Sequence, residues 1–315
     1  LSNRTQAVTC ANKTSKALPI TAGVPQGSIL GPLSFILYIN ELPAYFPLTK
    51  SIQYAHDTTL INYDKDCSCL ASKTNSTLQN LEIWFSDNNL CLNIEKTEIL
   101  TLSTRDLTDN KAVKFLGVYL DSSLSWKHHI RGLTTKLSSS LFLIRRVAEF
   151  ATLGVLKSTY YGHFHSNISY GLIFWGNSTE SIKVFKMQRY AIRLISKKTR
   201  RESCRPLFRE LQILPLPGLY IYQSLVFVKN HLNEYITNNS RHEYQARHGE
   251  NLLGPQHRLT LTQKSYITMA IKFFNVIPAT LKHLPVTMFK KNVKRLLLEI
   301  SPYNNNNNEF FSFFK

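Results

Sequence analysis

Acidic residues are scarce in this chain: 20 Asp and Glu stand against 38 Lys and Arg, a formal net charge of +18 over 315 residues. That imbalance disfavours a cationic partner and favours a polyanion, of which nucleic acid is the commonest. Long hydrophobic runs are missing too. Runs such as Leu141-Phe-Leu-Ile144 are far too short to cross a bilayer, so no membrane partner is expected. No secretory leader is recognisable. Cysteines are few and odd in number: Cys10, Cys67, Cys69, Cys91 and Cys204. Their scatter argues against a disulfide framework and for reduced thiols inside a cell, in nucleus or cytoplasm. Cys67-Ser-Cys69 has no second Cys or His pair at ligand spacing nearby, which argues against zinc. No G-x-S-x-G frames a serine for a hydrolase triad. There is no internal repeat. The chain does not start with methionine, which hints at a fragment, and no Asp or Glu occurs before Glu41.

What is present suits two modest domains with sizeable cores, since 43% of the residues are hydrophobic. Ser28 can cap a helix running through Leu33, Phe35, Ile36, Tyr38 and Ile39 and stopping near Pro43. Residues 51–54 and 59–63 read as short strands around a tight turn. Leu70, Leu78, Leu81, Trp84 and Phe85 mark an amphipathic helix. Strand patterns follow at Thr97–Leu102 and Val113–Leu120. The remainder is helical. Trp126, Ile130, Leu133, Leu137, Leu141 and Ile144 lie on one face of a long helix. Further helices are expected at 180–198, 265–275 and 286–299. Residues 199–260 read as looser and Pro-bearing, and the Asn304–Asn308 tract as disordered. The class is α+β.

The chemistry gathers around one turn, Tyr54-Ala-His-Asp57. A strand–turn–strand with an acid at its tip can present a carboxylate to metal ions, and two-metal phosphoryl transfer needs such carboxylates. A lone Asp in a turn is weak evidence, because Asp is a common turn former. Its setting is more specific. Gly23-Val-Pro-Gln-Gly27 precedes it, and Asn89-Leu-Cys-Leu-Asn93, Lys96-Thr-Glu98 and Lys114-Phe-Leu-Gly117 follow. In order and spacing this series resembles motifs B, C, D and E of the reverse transcriptases of non-LTR (LINE-type, insect jockey-like) retrotransposons. Ser169-Tyr-Gly171, Trp175-Gly176, the basic helix with Gln188, and Phe274-Asn275 with Pro278 resemble the region that follows the polymerase in those elements.

The resemblance implies a truncated right-hand palm over 1–121, a helical thumb over 122–205 and a helical C-terminal region over 206–315. The implied activity is RNA-directed DNA polymerisation, with Mg²⁺, dNTPs, an RNA template and a DNA primer. Gly23, Pro25, Gln26 and Gly27 would pack against nucleotide and template. Glycines allow close backbone approach, and a glutamine offers donors and acceptors. Lys96 would lie near the nucleotide phosphates, and Phe115, Leu116 and Gly117 would grip the primer. Asp57 would be the remaining metal ligand of the turn.

The chain departs from the family where chemistry is most exacting. Motif C should read aromatic-Ala-Asp-Asp, and His56 occupies the first aspartate. Imidazole is a poor Mg²⁺ ligand and cannot bridge two ions as a carboxylate does. Motif A, with its own aspartate, should lie upstream of residue 1. The expected consequence is loss of polymerase activity. Binding could outlast it: nine basic residues stand between 183 and 205 against Glu202 alone. Lys186, Arg189, Arg193 and Lys197 share one helical face suited to phosphates. For His128, His129, His163 and His165, structural or exposed roles are favoured over ligation, and for Tyr160, Tyr161 and Trp175 core packing is favoured over base stacking.

Overall fold

The computed structural model describes residues 4–21, 23–24, 27–103, 111–240, 249–303 and 307–314. They form a mixed helix and strand structure of the α+β class, in two compact units, Leu1–Glu98 and Ile99–Lys315.

In the first unit, β1 (Arg4–Gln6) pairs with β4 (Leu18–Ile20), and β2 (Thr9–Cys10) with β3 (Lys13–Thr14), all antiparallel. Ser28 Oγ accepts the Leu30 amide at 3.2 Å and opens α1 (Leu30–Ile39); α2 (Leu42–Tyr45) follows, with Pro43 in its first turn, where a missing N–H costs nothing. The antiparallel hairpin β5 (Lys50–Tyr54) and β6 (Asp57–Ile61) comes next. Asp66 then caps α3 (Cys67–Asp87) by accepting the Cys69 amide at 3.0 Å. The core here is small: Ile39, Leu42, Phe46, Leu81 and Trp84, with Phe35, Leu60, Phe85, Leu90 and Leu92 against it. The strand expected at Thr97–Leu102 does not form. No strand among the described residues lies beside it to complete a ladder, and an extended segment without a partner is not a strand.

The second unit begins with the hairpin β7 (Ala112–Phe115) and β8 (Val118–Asp121). The sequence suggests one strand from Val113 to Leu120. The structure breaks it at Leu116-Gly117, both with positive φ (44° and 84°), the two-residue turn whose twist suits a hairpin. This hairpin lies in the second unit, with β8 packed on α4. The α4 helix (Lys127–Val147) buries Ile130, Leu133, Leu137 and Ile144, the expected face. After it come α5 (Leu153–Thr159), a π-helical turn over Tyr160–His165, α6 (Ser166–Ser169), α7 (Leu172–Trp175) and α8 (Ser181–Ile195).

Among the described residues of 199–260, which the sequence reads as looser, are two helices, α9 (Arg205–Glu210) and α10 (Leu216–Asn230). The α10 helix is apolar on most faces because most of it is buried, so it has no amphipathic period to read, and Pro217 sits harmlessly in its first turn. α11 (Thr260–Gln263), α12 (Tyr266–Val276), α13 (Ala279–Lys282) and α14 (Val286–Ile300) follow. Of the asparagine tract, residues 304–306 lie outside the described residues. Its end is ordered: Asn307 is buried, and α15 (Asn308–Phe313) places Phe310 in the main core. That core runs through α4, α8, α10, α12 and α14.

Candidate functional site

The Tyr54–Asp57 turn is a two-residue connection between paired Tyr54 and Asp57, with Ala55 at φ 51°. A β-carbon in that left-handed region is strained, so the strand pairing holds the turn against local preference. Both functional side chains point outward: His56 is 86% and Asp57 60% exposed, with His56 Nε2 3.7 Å from the Asp57 carboxylate. The nearest acids in sequence have other partners. Asp64 bonds Lys73, whose hydrogen bond holds its carboxyl below the ordinary range. Asp66 is held low by the Ser68 hydroxyl and caps α3.

These donors do not fit a two-Mg²⁺ centre. One exposed carboxylate and one imidazole offer neither the number nor the hardness of oxygen ligands that Mg²⁺ needs. Among the described residues no group of three or more His, Cys, Asp or Glu is placed to hold a metal.

In the loop before α1, Gly23 and Gly27 have φ of 81° and 79°, and nothing lies within 4 Å of where a β-carbon would be. Their conformation, rather than crowding, calls for glycine. Arg4 donates to the Gly23 carbonyl at 2.5 Å. Pro25 and Gln26 lie outside the described residues. Lys96 ends a 3₁₀ turn (Ile94–Lys96) capped by Asn93, with its side chain exposed. No hydrogen bond or ion pair among the described residues joins Lys96 to Asp57.

The Phe115-Leu116-Gly117 turn sits in the second unit against Tyr170. The Tyr170 hydroxyl donates to the Leu116 carbonyl, and a β-carbon on Gly117 would lie 3.3 Å from the Tyr170 ring. Sequence reasoning missed this partnership. Both segments were visible, but nothing in the sequence says that they meet.

The basic face of α8 divides in the structure. Lys186 is exposed on α8; Lys197 is also exposed but lies past the helix end at Ile195, with φ 51°, so the expected four-residue face stops at Arg193. Arg189 is half-buried, 5.2 Å over the Phe185 ring and 5.8 Å over Tyr303. Arg193 donates Nε to the Glu202 carbonyl at 3.1 Å. Periodicity placed the four together, but the segment around Tyr303 packs over part of the stripe. A second basic and aromatic group had no motif to announce it: Arg145 donates to the Tyr190 hydroxyl with its guanidinium 5.6 Å over that ring, and Arg146 lies 5.5 Å over the exposed Phe142.

Of the remaining candidates, His128, Tyr161 and His163 are exposed, so Tyr161 is not in the core as expected, and the others are at least partly buried. Tyr160 and Trp175 are fully buried. Gln188, equally buried, donates to the Tyr160 hydroxyl and the Leu214 carbonyl, each at 3.0 Å, and accepts the Leu216 amide at 2.8 Å. It therefore ties α8 to the start of α10. Burial lowers the His165 pKa to about 4, with Lys294 adding to the shift, and burial also lowers that of His129. His129 lies between Trp126, which it meets edge-on at 81°, and Trp175, to which its ring is tilted by 51°. No helix among the described residues is long and apolar enough to cross a membrane.

Comparison with known proteins shows what the sequence is similar to. Residues 1–120 match the family "Reverse transcriptase (RNA-dependent DNA polymerase)". The particular relatives are insect mobile elements. The chain is 27% identical over 221 residues to the RNA-directed DNA polymerase from mobile element jockey of Drosophila melanogaster, covering 62% of this chain and 24% of that protein. It is 28% identical over 222 residues to the probable RNA-directed DNA polymerase from transposon BS of the same fly, again 62% and 24%. To the probable RNA-directed DNA polymerase from transposon X-element it is 24% identical over 185 residues, 51% and 20%. Over these stretches the chain is similar to the reverse transcriptases of jockey-like non-LTR retrotransposons. The aligned stretch spans about a quarter of the length of the first two relatives. No solved structure matches.

Proposed function

We propose that this chain is a palm and thumb portion of an RNA-directed DNA polymerase that holds primer–template without extending it. The observation that carries the reading is the Tyr54–Asp57 turn: His56 stands where the metal-bridging aspartate belongs, and Asp57 is the single carboxylate at its tip. In this reading residues 1–121 derive from the palm, 122–205 from the thumb, and 206–315 from the helical region beyond. Gly23, Pro25, Gln26 and Gly27 face nucleotide and template, Lys96 faces the nucleotide phosphates, and Phe115, Leu116 and Gly117 hold the primer. Mg²⁺ is the family's metal, and the donors present here are unsuited to it. Removing a metal ligand typically costs several kcal/mol of transition-state stabilisation. A carboxylate supplied by any preceding segment would leave His56 in place.

Binding has a separate basis. The +18 charge and the exposed Lys186 and Lys197 support contact with phosphates of an RNA template and DNA primer. Arg189 and Arg193 contribute field more than direct contact, because each already has an intramolecular partner. Mobility shifts of a DNA primer on an RNA template at several salt concentrations test this. The expected result is binding that weakens linearly in log–log form, with a slope smaller by roughly one for Lys186→Ala. Absence of binding at low salt, or a flat salt response, overturns the reading.

A further inference from the structure

We infer that Tyr170 is the positioning residue of the Phe115-Leu116-Gly117 turn, fixing the tip of the β7–β8 hairpin that presents the primer strand. The inference rests on the proposed primer-holding role of that turn.

A two-stranded hairpin is marginal by itself, and this one has a costly tip. Leu116 adopts φ 44°, a left-handed conformation that disfavours a residue with a branched side chain. Something outside the hairpin must hold it. On the β8 side, Val118 is buried and Tyr119 lies 3.7 Å from where a β-carbon on Gly132 of α4 would be. The tip is held by Tyr170 alone among the described contacts. Its hydroxyl donates to the Leu116 carbonyl, and its ring lies so close that a β-carbon on Gly117 would meet Cε1 at 3.3 Å and the hydroxyl oxygen at 3.5 Å.

Tyr170 is itself anchored from behind. Trp175, fully buried, donates its indole N–H to the Tyr170 carbonyl at 3.1 Å. Gln223 of α10 donates to the Ser169 carbonyl at 3.0 Å. Gly171 turns the chain at φ 61°, where a β-carbon would touch Val118 Cγ2 at 3.4 Å. A continuous path of contacts thus runs from the buried α10 and Trp175, through Ser169-Tyr170-Gly171, to the tip. Tyr170 is 55% exposed, so its hydroxyl could bond water at no loss. It bonds a backbone carbonyl instead, and that bond fixes a turn whose proposed task needs placement within about half an ångström.

The test uses the full chain and Tyr170→Phe, which keeps the ring and removes the bond. Amide hydrogen exchange of the free protein comes first. Residues 115–118 should exchange about five-fold faster in Tyr170→Phe, the loss of one net hydrogen bond, with α4 and α10 unchanged. Unchanged exchange at the tip overturns the latch. In the second arm, a DNA primer ending in 4-thiothymidine is annealed to an RNA template and photocrosslinked. Wild type should crosslink within residues 112–121, and Tyr170→Phe several-fold less, with overall affinity held within about two-fold by phosphate contacts elsewhere. Loosened exchange with undiminished crosslinking overturns the positioning role. No wild-type crosslink in the hairpin overturns the primer-holding reading, and the positioning role with it. Tyr170→Ala, removing ring and bond, should exceed Tyr170→Phe in both readouts.

Discussion

Gly117→Ala should be among the most damaging single-methyl additions in the second unit, for two reasons that can be separated. Gly117 has φ 84°, where a β-carbon costs roughly 1–2 kcal/mol. The new methyl would also lie 3.3 Å from Tyr170 Cε1, close enough that the ring must shift, and the shift loosens the hydroxyl's bond to the Leu116 carbonyl. Losing that bond adds about 1 kcal/mol, for a total of about 2–3 kcal/mol. Gly132→Ala is the matched control. It lies inside α4 with ordinary φ, and its methyl would meet the Tyr119 ring at 3.7 Å, plain van der Waals contact. A helical Gly→Ala change there should stabilise by about 0.5–1 kcal/mol. Thermal melts should move in opposite directions, with Gly117→Ala falling by about 6 °C for a unit of this size. If the hairpin frays by itself, the loss appears instead as faster amide exchange confined to 112–121. The reasoning is refuted if, in both measurements, Gly117→Ala costs no more than Gly132→Ala.

Other perturbations follow from buried polar groups. Asp121 is 1% exposed and accepts four bonds, from the amides and hydroxyls of Ser123 and Ser125 at 2.8–3.2 Å. Burial pushes its pKa up, but these bonds outweigh burial and the net shift is downward. Its stabilising contribution should therefore be complete above the unfolded carboxylate pKa and be lost as pH falls through the lower folded value. Asp121→Ala should cost about 1–3 kcal/mol in urea titrations at pH 7 and flatten the acid limb of the stability curve. His165 is held neutral, with its pKa lowered to about 4 chiefly by burial. The folded state thus binds fewer protons than the unfolded one, and stability should fall by up to a few kcal/mol between about pH 6.5 and pH 4. A His165→Phe variant showing the same fall over that range would refute this. Gln188→Leu should cost about 3 kcal/mol, because it orphans the Leu216 amide and the Leu214 carbonyl in the core. An unchanged chemical-denaturation midpoint would show that these groups find other partners.

Much of the fold was legible because its signals are local. Ile130, Leu133, Leu137 and Ile144 repeat at helical spacing and are buried as that spacing requires. Ser28 and the Tyr54–Asp57 turn announce an α1 start and a hairpin by chemistry that acts within a few residues. The α10 helix was not legible, since a helix buried on most faces carries no polar stripe. The strand expected at Thr97–Leu102 failed for a related reason: a strand is defined by its neighbour, and the sequence does not supply one. At the site, residue identities were readable but partnerships were not. Lys186, Arg189 and Arg193 do share α8, but the helix ends at Ile195, before Lys197, and Tyr303, more than a hundred positions after Arg189, takes up the Arg189 guanidinium. Tyr170 and Leu116 are likewise distant in sequence, and their single hydrogen bond leaves no local trace.

The central proposal is that the chain holds primer–template without extending it, with His56 standing where a metal-bridging carboxylate is needed. Primer extension on an RNA template, with Mg²⁺ or Mn²⁺ and all four dNTPs, tests it most directly when run on the native sequence beside His56→Asp. The native sequence should add no nucleotides above background while it shifts the primer–template at low salt, since an imidazole cannot bridge two metal ions as a carboxylate does. Incorporation by the native sequence would contradict the claim outright, and incorporation by His56→Asp alone would make that single residue the whole defect.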